Sequence, residues 1–242
     1  MSTKNNIFQI LQSIGWPQTI CVLDFETFHD TDYHLNTKRK GGISIAEYLF
    51  SPRFNIIGTA YGITNTTSIS FLFSSQRGVD AVLNSLQPDQ TVFVGHNLIF
   101  DGSILVDKFG YIPQYCIDTI SLSRYVEARG KHSLDICCER WLDDYPPKTD
   151  ILNRIQGRTW TQLRPELKRD TAEYSCNDTQ KTWDLLNFLL PRLPRPDLEL
   201  NFIMNTLKRY WLPKLEYDFE KSGQLKQDMR NEMNQLIERV EV

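Results

Sequence analysis

At 242 residues the chain is long enough for one substantial core with a small appendage. Its 40% hydrophobic and 24% charged residues are those of an ordinary globular protein, and its formal net charge of −3 argues against a duplex held by bulk positive charge. No apolar run reaches membrane-spanning length, the N-terminus lacks the pattern of a secretory signal, and five cysteines without a C-x-x-C pair read as reduced thiols of a cytosolic protein.

Residues 20–23 form a short apolar run with two β-branched side chains, a buried strand that ends at Asp24. The polar stretch 27–53 is too long for a plain connection and reads as a functional excursion with a short helix over 45–49. Two strands follow, 54–63 and 67–73, joined by the polar turn 64–66. A brief amphipathic helix spans 79–86, a buried strand 91–94, and a helix 100–109. The region 118–142 reads as two helices joined at Gly130, the second over 133–141, and Pro146-Pro147 closes it. After a loop-rich stretch comes the strongest helix, 165–190, with Pro165 suited to its first turn. Its two apolar stripes, Ala172, Cys176, Trp183, Leu186, Leu190 and Leu167, Tyr174, Leu185, Leu189, predict a helix covered on both sides. Pro191, Pro194 and Pro196 mark a linker, and helices over 198–211 and about 225–240 follow. These last two cannot fold as a pair and need the main domain, or something outside this chain, to cover them.

Three short stretches carry acids. Asp24-Phe25-Glu26 ends a strand, and residues i and i+2 of a strand share a face, so both carboxylates project together. A solvated strand end is the plain alternative. Asp101 follows His96-Asn97 and a buried strand; Asn97 also suits an N-cap, and Asp101 a favourable place near a helix dipole. Tyr174 and Asp178, four apart, share a helical face, which equally describes a core edge beside a solvated charge. The conjunction is more specific than its parts: a strand-borne Asp/Glu pair, an aspartate after a second strand, then Tyr/Asp on a later helix. Phosphodiester hydrolysis needs charge compensation on attacking and leaving oxygens, which two divalent ions supply. Hard Mg²⁺ or Mn²⁺ prefers carboxylate oxygen, in keeping with acids and no Cys/His cluster.

In that order the stretches resemble the Exo I, II and III motifs of the DnaQ-like 3′→5′ exonucleases: Asp24-Phe25-Glu26-Thr27, His96-Asn97-x-x-Phe100-Asp101 and Tyr174-x-x-x-Asp178. The tyrosine, with Glu rather than His at position 173, is that of the DEDDy branch. The resemblance implies an α/β fold, an RNase H-like mixed sheet flanked by helices. It implies that Asp24, Glu26, Asp101 and Asp178 hold two divalent cations, that Tyr174 orients the attacking water, and that Phe25, Thr27, Asn97 and Phe100 line the site for terminal nucleotides.

The likeness extends along most of the chain. Tyr33, Glu47-Tyr48, Pro52-Arg53-Phe54 and Ile117-Asp118-Thr119 are similar to the exonuclease domain of phage-type family A DNA polymerases. Leu198-Glu199-Leu200 and 211–218 are similar to the lead-in to their polymerase domain. This implies residues 1–194 as exonuclease domain and 195–242 as a helical extension, either excised from a polymerase or serving one encoded separately. The expected activity is trimming of single-stranded DNA 3′ ends to nucleoside 5′-monophosphates, proofreading for that polymerase, in the cytoplasm (the host's, if a phage encodes it). RNase D-like RNA trimming and a non-catalytic polymerase-docking module are the competing readings.

Other polar residues have ordinary explanations beside functional ones. His29 and His34 read as solvated loop residues lacking zinc-spaced partners. His96 and His132 could contact substrate or be packed imidazoles. Lys38-Arg39-Lys40, and Arg164, Lys168 and Arg169, could grip phosphate or be solvated. Cys137-Cys138 and Trp183 read as core.

Overall fold

The computed structural model of the protein describes residues 6–35, 42–143, 145, 149–212 and 218–240. The expectations for Lys38-Arg39-Lys40, Pro146-Pro147 and 213–217 therefore lie outside the described residues. The chain divides into two compact units, Met1–Trp211 and Leu212–Val242.

The first unit opens with helix α1 (Ile7–Ser13), which was not among the expected elements and is started by a reciprocal Asn6/Gln9 capping box. In chain order follow β1 (Thr19–Thr27), α2 (Ile45–Phe50), β2 (Ile56–Thr64), β3 (Leu72–Ser75), α3 (Gln76–Asn84), β4 (Thr91–Gly95), α4 (Leu98–Phe109) and β5 (Tyr115–Asp118). Then come α5 (Thr119–Val126), α6 (Leu134–Trp141), α7 (Ile151–Ile155), α8 (Pro165–Leu189) and α9 (Pro196–Trp211). The strands form one mixed sheet in the order β3-β2-β1-β4-β5. β1 pairs antiparallel with β2, and parallel with β4, which is parallel to β5.

Besides α1, four elements depart clearly from expectation. β1 continues through Asp24 to Thr27, because β2 pairs with it as far as Thr27 whereas β4 stops at Val22. β3 starts at Leu72, not 67: Thr64 Oγ1 donates into the loop at Ser68 O (2.7 Å), and Ile69 and Phe71 fold over Gly62 instead of pairing. β5 is a four-residue strand too short to show a period, and α7 is a single helical turn and a half inside the stretch read as loop.

Alternation along β1 divides the core. Ile20 and Val22 face α8 and join a cluster with Val92, Val94, Leu185 and Leu186. Cys21, Leu23 and Phe25 face the other way, packing with α3 and α4 through Val79, Leu83, Ile104 and Leu105. By the same period Asp24 and Glu26 point to the α8 side. Two rows of α8 are buried, but the sheet-facing row is not the apolar stripe expected. It runs Leu167, Thr171, Ser175, Thr179, Thr182, Leu186, while Ala172 and Cys176 are half-exposed. Hydroxyls can be buried there because Thr171, Thr179 and Thr182 each donate to the carbonyl four residues back, at 2.6, 2.8 and 2.9 Å.

The first compact unit runs through α9 to Trp211. α9 buries Leu200, Ile203, Leu207 and Trp211 with β5 and α4, and Trp211 Nε1 donates to Ile99 O at 3.1 Å. Among the described residues the second unit carries α10 (Phe219–Val240), whose Leu225, Met229, Met233 and Leu236 are exposed. No helix among the described residues is long and apolar enough to cross a membrane.

Candidate active site

Asp24 and Glu26 occupy the part of β1 that overhangs the end of β4, where one edge of the strand is open. Asp101 sits in the first turn of α4, 3% exposed, and its Oδ1 accepts the Phe25 N–H at 3.0 Å. Tyr174 and Asp178 stand on the face of α8 that crosses β1. Asp24 lies within electrostatic reach of Glu26, Asp101 and Asp178, and Tyr174 within reach of Asp178, Glu26 and Asp24. Burial raises the Asp24 carboxyl well above the usual range, and Glu26, Asp101 and Asp178 raise it further. Glu26 is pushed up to about 8 by burial, then by Asp178 and Asp101. Asp101 is pushed up to about 7 by burial, against the pull of the Phe25 N–H. Burial and the neighbouring Asp178 and Glu26 charges hold the Tyr174 phenol above its ordinary value, so it stays protonated. Ser175 Oγ is buried beside Glu26, where it favours the ionised carboxylate, yet makes no hydrogen bond of good geometry.

Buried carboxylates facing one another are what a hard divalent cation would complete, and the donors are all oxygen. The chemistry of the set fits such an ion. As the side chains stand, no three acidic, His or Cys residues among those described close on a common metal position. Two of the acids have an oxygen engaged elsewhere: Asp101 by the Phe25 N–H, and Asp178 Oδ1 by Lys181 Nζ at 3.0 Å.

The loop before α4 is held by residues whose structural roles were not foreseen from sequence. Asn97 is left-handed (φ 71°) and its side chain makes no cap. The capping role expected of it falls to Asp118, whose Oδ1 accepts the N–H groups of Asn97 (2.8 Å) and Leu98 (3.1 Å), while Ser121 Oγ donates to Oδ2 at 2.6 Å. His96 is pinned between Thr119 Oγ1 and His132 O, both at 2.9 Å. It is a packed imidazole, its basicity lowered by burial.

The excursion after β1 is held by aromatic packing. Tyr33 stacks on Tyr48 with centroids 4.4 Å apart, Arg53 lies over Tyr33 and pairs with Asp30, and the Phe54 and Phe100 rings meet Tyr48 edge-on. Thr27 Oγ1 and the Tyr48 hydroxyl are 2.9 Å apart. Glu47 completes the capping box of α2 with Ser44. Of the side chains expected to line the site, Thr27 borders a cleft of about 400 Å³ with Glu26, His29 and Asn153. Phe25 forms part of that wall, although its ring stacks on Phe109 in the core. Phe100 supports Tyr48 from behind.

Asn97 opens onto a second, larger cleft of about 920 Å³, lined also by His96, Arg124, Lys131, His132 and Ser133. The cations of this wall were not legible locally, because they come from α5 and from the loop between α5 and α6. The most consequential residue missed is Lys181, 2% exposed, whose Nζ also reaches Asp135 Oδ1 at 3.1 Å. Its signal was the spacing Asp178-x-x-Lys181, an i,i+3 pair.

Comparison with known proteins shows the family and the fold. A family described as 3′-5′ exonuclease, that of A-type DNA polymerases, matches residues 60–194, more than half of the chain. No curated protein matches. Among solved structures, Trypanosoma brucei RNase D in complex with RNA U12 is similar with a TM-score of 0.55 at 13% identity, over 87% of this chain and 70% of that one. Brucella melitensis NrnC is similar with a TM-score of 0.50 at 18% identity, over 83% and 84%. The catalytic core of Trypanosoma brucei RRP6 is similar with a TM-score of 0.51 at 17% identity, over 90% and 55%. The shared fold is the RNase H-like one of DnaQ-like exonucleases, enzymes that use divalent metals.

Proposed function

We propose that this chain, which belongs to the 3′-5′ exonuclease family, hydrolyses single-stranded DNA from the 3′ end and releases nucleoside 5′-monophosphates. The observation that carries the reading is the convergence of Asp24, Glu26, Asp101 and Asp178, with Tyr174 beside them, from β1, α4 and α8 into one cluster of mutually repelling acids, Glu26 and Asp101 buried and the others half-buried. Asp24, Glu26, Asp101 and Asp178 would hold two divalent cations, Mg²⁺ or Mn²⁺, which when bound compensate charge on the attacking and leaving oxygens. Tyr174, kept protonated, acts as a hydrogen-bonding group that orients water and not as a base. The Thr27 cleft takes the terminal nucleotide, with Phe25 as part of its wall and Phe100 supporting Tyr48. The Asn97 cleft, with Arg124 and Lys131, takes the phosphates of the strand leading to it.

The biological role that suits this activity is proofreading for a DNA polymerase, in a cytoplasmic setting, with the C-terminal extension as the junction. RNA trimming is the second reading, motivated by the fold shared with an RNase D whose structure holds RNA. End-labelled DNA and RNA oligonucleotides of one sequence, incubated with Mn²⁺ or with chelator, test both, since only the 2′-OH differs. The expected result is stepwise shortening of the DNA from the 3′ end, abolished by chelator and by Asp24→Ala. Faster loss of the RNA would transfer the activity to the second reading. Equal activity of Asp24→Ala and wild type would end both.

A further inference from the structure

Lys181 lies one turn after Asp178 on α8 and is sealed from solvent, at 2% side-chain exposure. Removing an ammonium from water is costly and persists where carboxylates offset it. Here they come from two elements: Asp178 on α8 at 3.0 Å, and Asp135 in the first turn of α6 at 3.1 Å. Asp178 thus belongs to two groups at once, the acid cluster and this buried ion pair.

We propose that Lys181 is the resident counter-ion of the acidic cluster, occupying Asp178 in the metal-free protein and competing with an incoming divalent cation for it. The inference rests on the reading that the four acids bind such cations. Two features of its geometry carry the inference. Asp178 Oδ1 is held by Lys181 Nζ at 3.0 Å, so that bond must be given up before this oxygen can take a cation. Asp135 supplies the second partner, so Lys181 keeps a carboxylate when Asp178 turns towards the metal. Lys181 is accordingly a positioning residue, acting through Asp178. The simpler alternative is a staple between α8 and α6 with no effect on metal.

Mn²⁺ binding, followed by the electron paramagnetic resonance of the free ion, and thermal unfolding in chelator and in saturating Mn²⁺ separate these without any turnover. Lys181→Met removes a cation only the metal-free form needs. It should bind Mn²⁺ roughly tenfold more tightly, the scale of one partly offset charge at an effective dielectric of about 20. Its unfolding midpoint should fall in chelator and recover with Mn²⁺ by more than the wild-type midpoint rises. Asp135→Asn should act in the opposite direction, leaving Lys181 more firmly on Asp178 and weakening Mn²⁺ binding; it keeps the test open if Lys181→Met fails to fold. Equal loss of midpoint with and without Mn²⁺, or wild-type Mn²⁺ affinity in both variants, would overturn the inference while leaving the metal site intact. Wild-type protein that binds no Mn²⁺ would overturn the metal site and this inference together.

Discussion

Asp101→Asn should separate stability from function. Asp101 is buried, and its carboxyl rises from 3.8 to about 7 in the folded chain without metal. A raised carboxyl leaves the folded form holding a proton that the unfolded form has released, so stability falls as pH rises from the unfolded value through the folded one. At about 1.4 kcal/mol per unit, the cost is about 2 kcal/mol at pH 5 and about 4 kcal/mol at pH 8. Asparagine does not ionise and keeps an Oδ1 for the Phe25 N–H. In chelator, urea unfolding should therefore find the variant more stable than wild type, by a margin growing about 2–3 kcal/mol between pH 5 and pH 8. Saturating Mn²⁺ should reverse the ranking, since the wild type gains a ligand the variant holds poorly, and the variant should be inactive throughout. Parallel pH profiles in chelator, or a variant less stable than wild type at pH 8, would show that Asp101 does not carry this strain.

Tyr174→Phe should lower kcat by about 10–100-fold with little change in KM, because only a hydrogen bond to water is lost; a larger change in KM than in kcat would count against that role. Arg124→Ala with Lys131→Ala should raise KM for a long single strand and flatten its salt dependence by about 1.4 in log–log slope, from about 0.7 per phosphate contact. An unchanged slope would remove the Asn97 cleft from the strand's path. Gly102→Ala would place a Cβ 1.9 Å from the Trp211 indole. It should cost about 1–3 kcal/mol by overpacking and shift tryptophan emission; an unaltered denaturation midpoint would mean that α9 does not seat there.

The acids were legible because each carries a local rule with it. The period of two along β1 put Asp24 and Glu26 on one face, and the spacing of four on α8 joined Tyr174 to Asp178. Asp118 stood out only through its neighbours Ile117 and Thr119. Its structural role, accepting two backbone N–H groups across the sheet end, leaves no periodic trace. The hydroxyl row Thr171, Ser175, Thr179 escaped for a related reason. Polar residues read as solvated until it is seen that the carbonyls of their own helix satisfy Thr171 and Thr179.

From sequence alone came the family, the order of strands and helices that carries the four acids, and the expectation that those acids meet. Periodicity and short motifs are properties of neighbouring residues, so they survive in one dimension. The packing of α9 on β5 and α4, the left-handed Asn97 held by Asp118, the cleft walled by Arg124 and Lys131, and the burial of Lys181 between Asp178 and Asp135 were decided only in three dimensions. Each depends on a partner distant in the chain, and the energy of a buried charge or an unpaired N–H is set by whatever the fold brings beside it.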